Sequence, residues 1–294
     1  ALNGSIPELY PAEHVLAANS TLKMVTTAAM LAGIILAGVA LAHKIPLWWG
    51  VPAGRMLVAA GVVAVALAGV LLSLGVPRRP AARPDAKFPW SGPVDTLRTL
   101  WSMRTDRLLT VVLLADAFVW AVAVLQVLLV NQLGKEFCLS ERGTSYLVVA
   151  ELGGVAVGGL LARKLASGER WFRALPVAMF VLAGAMLLQG AAPHLPAPLR
   201  LPAVWMLLGV AGIAGGLLLV PLEAFFQVRP DPGQKGRVIA AANFAAFLAM
   251  MLAAAVSAPM LAHLAAATGL AALGLVTLPA AAGLLWALNG REVR

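Results

Sequence analysis

Eight apolar stretches dominate this chain, at residues 21–42, 55–76, 108–132, 144–165, 172–192, 201–220, 238–261 and 268–288. About 20 apolar residues in a helix cross the hydrocarbon core of a bilayer. Within that core only structures that satisfy their own backbone hydrogen bonds survive, so eight such stretches read as eight transmembrane helices. Composition agrees: the chain is 61% hydrophobic and 12% charged, against about 45–50% and about 25% in soluble domains. The expected fold class is an all-α polytopic membrane protein.

The basic residues set the expected topology. Lys23, the run Arg78 to Arg107, Arg163 to Arg173, Arg229 to Arg237, and Arg291 with Arg294 fall on one side. Lys44, Arg55, Lys135, Arg142 and Arg200 fall on the other, a split of 17 against 5. Lys and Arg collect in cytoplasmic loops, so both ends of the chain are expected in the cytoplasm. The net charge of +9 is read as this bias and not as a nucleic-acid surface, since no soluble segment could carry a basic domain. The longest loop, 77–107, opens "PRRPAARPDAKFPWSGP", whose prolines forbid a helix. Its second part, "VDTLRTLWSMRTDR", places Val94, Leu97, Leu100 and Trp101 on one helical face and reads as a short amphipathic helix at the cytoplasmic interface.

Polar residues inside spans must face protein or a water-filled cavity. Asp116 and Gln126 in the third span and Glu151 in the fourth lie deepest and are the candidate cavity residues. Asn19, Lys23, Glu223, Gln227 and Asn243 lie near helix ends and are candidate gate residues. Arg163, Lys164 and Arg173 form a basic loop on the cytoplasmic side. The second, fifth and eighth spans are apolar through their middles and are expected to face lipid. Gly154 with Gly158, and Gly212 with Gly216, have the spacing that lets two helices pack closely. No catalytic or metal centre is expected. The single cysteine, Cys138, allows neither an intramolecular disulfide nor a cysteine cluster. His14, His43, His194 and His263 are isolated from one another, and no nucleophile–base or metal-binding motif appears. No cofactor is expected.

One phrase occurs twice. "VLAANSTLKMVTTAAMLAG" at 15–33 and "IAAANFAAFLAMMLAAA" at 239–255 both open with Ala-Ala-Asn. Both follow a loop containing Pro, Leu and Glu, and both start on the same side of the membrane by the charge count. Such a parallel repeat of six-helix halves is the plan of major facilitator superfamily transporters. The motifs themselves resemble one family within it, the lysophospholipid transporters. "GSIPELYPAEHVLAANSTL" is similar to that family's loop and fifth-helix start. "GVAGIAGGLLLVPLEAFFQ" is similar to its Gly-x-x-Gly-Gly-x-x-x-Val-Pro-Leu-x-x-x-x-Gln, matched by Gly212, Gly215, Gly216, Val220, Pro221, Leu222 and Gln227. "GRVIAAANF" and the basic "GGLLARKLASG" add further pieces.

The resemblance implies a major facilitator fold of twelve helices, of which these eight are the fifth to the twelfth. Residues 1–76 would then close the N-terminal half, 77–107 link the halves, and 108–294 form the C-terminal half, with four helices preceding the chain. It also implies transport of a lysophospholipid, mainly lysophosphatidylethanolamine, across the bacterial inner membrane toward the cytoplasm by alternating access. The implied partners are the lipid bilayer and an acyltransferase/acyl carrier protein synthetase, separate or fused, that reacylates the product. Two positions depart from the family pattern: Lys23 stands where it has Glu, and Gln126 lies in the seventh-helix stretch where members carry Arg. The alternative readings are a facilitator for a drug, sugar or metabolite, and an integral membrane enzyme.

Overall fold

A computed structural model describes residues 10–41, 50–75, 90–166, 168–231 and 233–289. The regular elements are helices: α1 (Ala12–Leu41), α2 (Ala53–Leu74), α3 (Gly92–Ser102), α4 (Arg107–Glu136), α5 (Glu141–Leu165), α6 (Ala174–Ala191), α7 (Ala197–Val228), α8 (Lys235–His263) and α9 (Ala266–Leu288), with short 3-10 turns between some of them. All except α3 are long and apolar enough to cross a membrane. The Pro-rich segment expected to be non-helical lies largely outside the described residues.

Three of the spans are started by side-chain caps. The Asp106 carboxylate accepts from the backbone amides of Leu108 and Leu109 at 3.0 and 3.1 Å and starts α4. Ser140 caps α5 through the Gly143 amide. The Glu136 side chain, at the end of α4, accepts from the Ala266 amide at 2.9 Å and caps α9 from a different element. These oxygens satisfy amides that have no partner inside their own helix. Cys138 takes a positive φ of 53° as the chain leaves α4, a left-handed conformation ordinarily filled by glycine.

The described residues fall into two compact units, one holding the start of α1 up to Leu31 together with Pro93 onward, the other Ala32–Gly92. In the second unit a Cβ on Gly54 would collide with the backbone of Ala40 and Leu41, so glycine is what lets α2 approach the end of α1. From Ala59 to Leu72 α2 is exposed and apolar all round, a surface suited to lipid.

In the first unit α5 packs along α7, α6 along α9 and α7, and α4 along α8 and α9. The α5–α7 seam is the two glycine pairs read from the sequence. A Cβ on Gly154 or Gly158 would run into the Gly209 or Ile213 carbonyl, and one on Gly212 or Gly216 into the Glu151 or Val155 carbonyl. The two backbones touch, which lets van der Waals packing hold helices that gain little from hydrophobicity inside a bilayer. Around this seam lies a core that includes Leu129, Leu147, Met179, Met186, Leu208, Leu218 and Leu270.

One expectation fails here. The fifth span, α6, does not simply face lipid: Leu175, Met179, Leu182 and Met186 are buried on one side, while Val177, Phe180, Val181 and Leu188 are exposed on the other. An all-apolar helix carries no polar stripe to mark which side is covered, so composition alone left its packing open.

Candidate functional site

The first half of α1 buries a stripe at four-residue spacing. Val15, Asn19 and Thr27 are buried, Lys23 is half-buried, and Ser20 is buried beside them. That spacing puts the side chains one above another on one helical face. The stripe lies on α5 and α7. Ser20 donates to the Gly159 carbonyl at 2.7 Å. Asn19 and Gln227 exchange two amide hydrogen bonds: Asn19 Nδ2 donates to Gln227 Oε1 at 2.8 Å, and Gln227 Nε2 donates to Asn19 Oδ1 at 3.0 Å. The second Nδ2 hydrogen is taken by the Val15 carbonyl at 3.0 Å.

One turn further along, Lys23 Nζ lies 3.8 Å from Glu223 Oε1 and 5.2 Å from the centre of the Trp120 ring on α4. Asp116, one turn before Trp120, interacts electrostatically with both Lys23 and Glu223. Three helices each contribute residues four apart: Asn19 and Lys23 from α1, Asp116 and Trp120 from α4, Glu223 and Gln227 from α7. The cluster holds two carboxyl groups against one ammonium. The 3.8 Å separation is ionic contact without a hydrogen bond, and the lysine is shared among a carboxylate, an aromatic face and a second acid. Toward the start of α1 and the end of α7, Leu16, Ala166, Trp171, Pro221, Phe225 and Val228 line a cavity of about 240 Å³.

Of the expected cavity residues, Asp116 thus joins the gate residues. Gln126 and Glu151 are buried, on α4 and α5. Asp116 Oδ1, Gln126 Nε2 and Glu151 Oε2 are buried atoms without a hydrogen-bond partner among the described residues. Gln126 is ten residues beyond Asp116, roughly 15 Å along the helix at 1.5 Å per residue. Gln189 on α6, which the sequence reading passed over, is fully buried, and neither side-chain atom has a partner among the described residues. Ser20 and Trp120 were also missed. A serine and a tryptophan in an apolar helix carry no sign of their distant partners.

The two repeated asparagines part company. Asn19 is buried and paired, whereas Asn243 is exposed inside α8, just over two turns past its start. Glu223 and Gln227 lie within α7, which continues helically through Pro221 to Val228, not in a loop beyond it. Arg163, Lys164 and Arg173 are exposed.

At the same end of unit one, Arg229 Nε bonds Asp106 Oδ2 at 2.9 Å and ties the end of α7 to the start of α4. Burial works to raise the Asp106 carboxyl. The Leu109 amide, the Arg229 guanidinium and the Leu108 amide outweigh it and hold the group below its ordinary value.

A family model described as Major Facilitator Superfamily matches residues 1–254. The chain belongs to that superfamily. Among relatives within it, the chain is 30% identical over 257 residues to "Lysophospholipid transporter LplT" of Enterobacter sp. (strain 638) and 29% identical over 258 residues to the protein of that name in Cronobacter sakazakii. It is 29% identical over 260 residues to the protein of that name in Escherichia coli O157:H7. Each alignment covers 85% of this chain and 59% of the relative. The chain therefore spans less than two thirds of the length of these relatives. No solved structure gives a significant match. A superfamily member with eight helices of spanning length among its described residues is a multi-pass membrane protein.

Proposed function

We propose that this chain is part of a lysophospholipid transporter that moves lysophosphatidylethanolamine-like lipids across the bacterial inner membrane by alternating access. The observation that carries this reading is the similarity to lysophospholipid transporters over 85% of the chain. The eight spans are taken as the fifth to the twelfth of the superfamily plan, with 1–76 ending one half, 77–107 as the connection and 108–294 as the other half. Both ends lie on the cytoplasmic face, and the product feeds a reacylating acyltransferase.

In this reading the α1–α7 contact is the cytoplasmic gate. α1 belongs to one half and α7 to the other, so the Asn19–Gln227 and Lys23–Glu223 pairs close a seam that must open in each cycle. Such a seam needs polar contacts that hold while water is excluded and release when water enters, and amide and ion pairs have that property. Asp116, Gln126 and Glu151 are the cavity residues. Each has a buried polar atom without a hydrogen-bond partner among the described residues, which a head group would satisfy once the cavity opens. Asn243 marks the repeat, and Arg163, Lys164 and Arg173 lie on the cytoplasmic surface.

The test is uptake of labelled lysophosphatidylethanolamine by spheroplasts expressing the protein. Uptake above that of cells lacking it supports the assignment, and Asp116→Ala, Gln126→Ala and Glu151→Ala each reduce the rate. Uptake of a drug or sugar with none of the lysolipid would move the substrate to the alternative reading.

A further inference from the structure

Helix α3 has two apolar sides, which the sequence pattern merged into one. Leu100 packs against the protein core; Thr96 and Thr99 are half-buried on the same side, and half-buried Asp95 pairs with Arg98 at 3.6 Å. Val94, Leu97 and Trp101 point elsewhere and are 50%, 57% and 72% exposed. At 100° per residue these three lie within about 60° of arc, and Leu100 is about 60° beyond their edge. Arg98 borders the exposed strip on one side. On the other, the Arg104 guanidinium stacks over the Trp101 ring at 4.1 Å.

Position gives the strip an occupant. Only the turn Met103–Thr105 and the cap Asp106 separate α3 from α4, which enters the membrane at Arg107. The entry level is marked by a second pair, Arg107 over the ring of Trp286 at 5.7 Å, with Trp286 largely exposed near the end of α9. Tryptophans collect at the depth of lipid head groups. Arginines at the borders of an apolar strip can reach phosphates while their stems lie along the apolar surface.

We propose that α3 is an in-plane helix whose Val94–Leu97–Trp101 strip docks into the head-group layer of the cytoplasmic leaflet, with Arg98 and Arg104 taking the phosphates of anionic lipids. One side of the helix is held by the protein and the opposite side by lipid. It is a lipid-binding surface separate from any transport path, and it stands whatever the transported molecule is.

The experiment uses the full chain in vesicles of zwitterionic lipid alone or with one third anionic lipid. Leu97→Cys on the strip and Ser102→Cys on the exposed polar side are each made with Cys138→Ser, labelled with an environment-sensitive fluorophore and quenched by lipids spin-labelled near the head group. Quenching at 97 is expected to exceed that at 102 by about threefold or more. It is expected to rise when anionic lipid is added. Replacing Arg98 and Arg104 by Gln is expected to cut that rise severalfold, since each basic residue near an anionic surface contributes about fivefold in binding. Equal quenching at the two positions overturns the docking. Quenching at 97 that is indifferent to anionic lipid, or unchanged by the arginine replacements, overturns the assignment of lipid class. Size-exclusion profiles matching the parent establish that the labelled variants are folded.

Discussion

Asn19 and Gln227 are 208 residues apart and share two hydrogen bonds. Removing either side chain leaves the other amide buried and unpaired. Polar pairs between membrane helices average about 0.6 kcal/mol and reach about 1.7, because the separated state also finds partners. Asn19→Ala and Gln227→Ala should therefore be strongly non-additive, with a coupling energy of about 1 kcal/mol in a double-mutant cycle read by denaturation in detergent micelles. Cys138 offers a prediction of opposite sign. Its left-handed backbone at φ 53° costs a side-chain-bearing residue about 1–2 kcal/mol, so Cys138→Gly should raise the melting temperature. That Asn19 and Lys23 would matter was legible, since polar residues in an apolar helix must face something. Their partners were not legible. Glu223 and Gln227 read as a loop beyond the sixth span, because Pro221 and two polar residues mimic a helix end, while the structure carries α7 through them.

At the scale of helices, the α5–α7 seam makes the sharpest demand. Gly158 faces the Ile213 carbonyl so closely that even one methyl would force the helices apart. Gly158→Ala should destabilise the protein by about 1–3 kcal/mol, the usual range for overpacking, whereas Gly153→Ala, with open space beside it, should be nearly neutral. Thermal aggregation curves of the two variants check the contrast. The Asp106–Arg229 tie is a pH-dependent element. Asp106 is held below its ordinary value in the folded protein, so its contribution is present above the unfolded carboxylate pKa and is lost as pH falls through the folded one. With Arg229 half exposed, that contribution stays below about 1 kcal/mol. Asp106→Asn should flatten the acid limb of a stability-against-pH curve without shifting stability near neutrality by more than that. Spans and glycine seams were readable from the sequence because length and spacing are local quantities. The side that α6 buries, and the split of α3 into two apolar sides, depend on neighbours, and no local pattern encodes them.

The whole molecule reads as a major facilitator whose proposed gate joins α1 to α7 through a short polar ladder. The Ala-Ala-Asn repeat led to the superfamily, and the family match over residues 1–254 bears that out. The repeat does not extend to the two asparagines' surroundings: Asn19 is locked in the ladder and Asn243 is exposed. The departure at Lys23 also gains a physical sense. In place of the acid of the family pattern, a lysine meets the acids Glu223 and Asp116, so the contact is attractive, where an acid would have added a third like charge. The central claim is that this contact opens and closes during transport. It is tested by uptake of labelled lysophosphatidylethanolamine in spheroplasts carrying Lys23→Glu, Glu223→Lys, or both. Each single change places like charges together and should lower the rate about tenfold, the effect of a shift of about 1.4 kcal/mol in a two-state gate. The double exchange restores the pair and should recover most of the rate. Uptake unaffected by the single changes, or a double exchange no better than either one, would contradict the account.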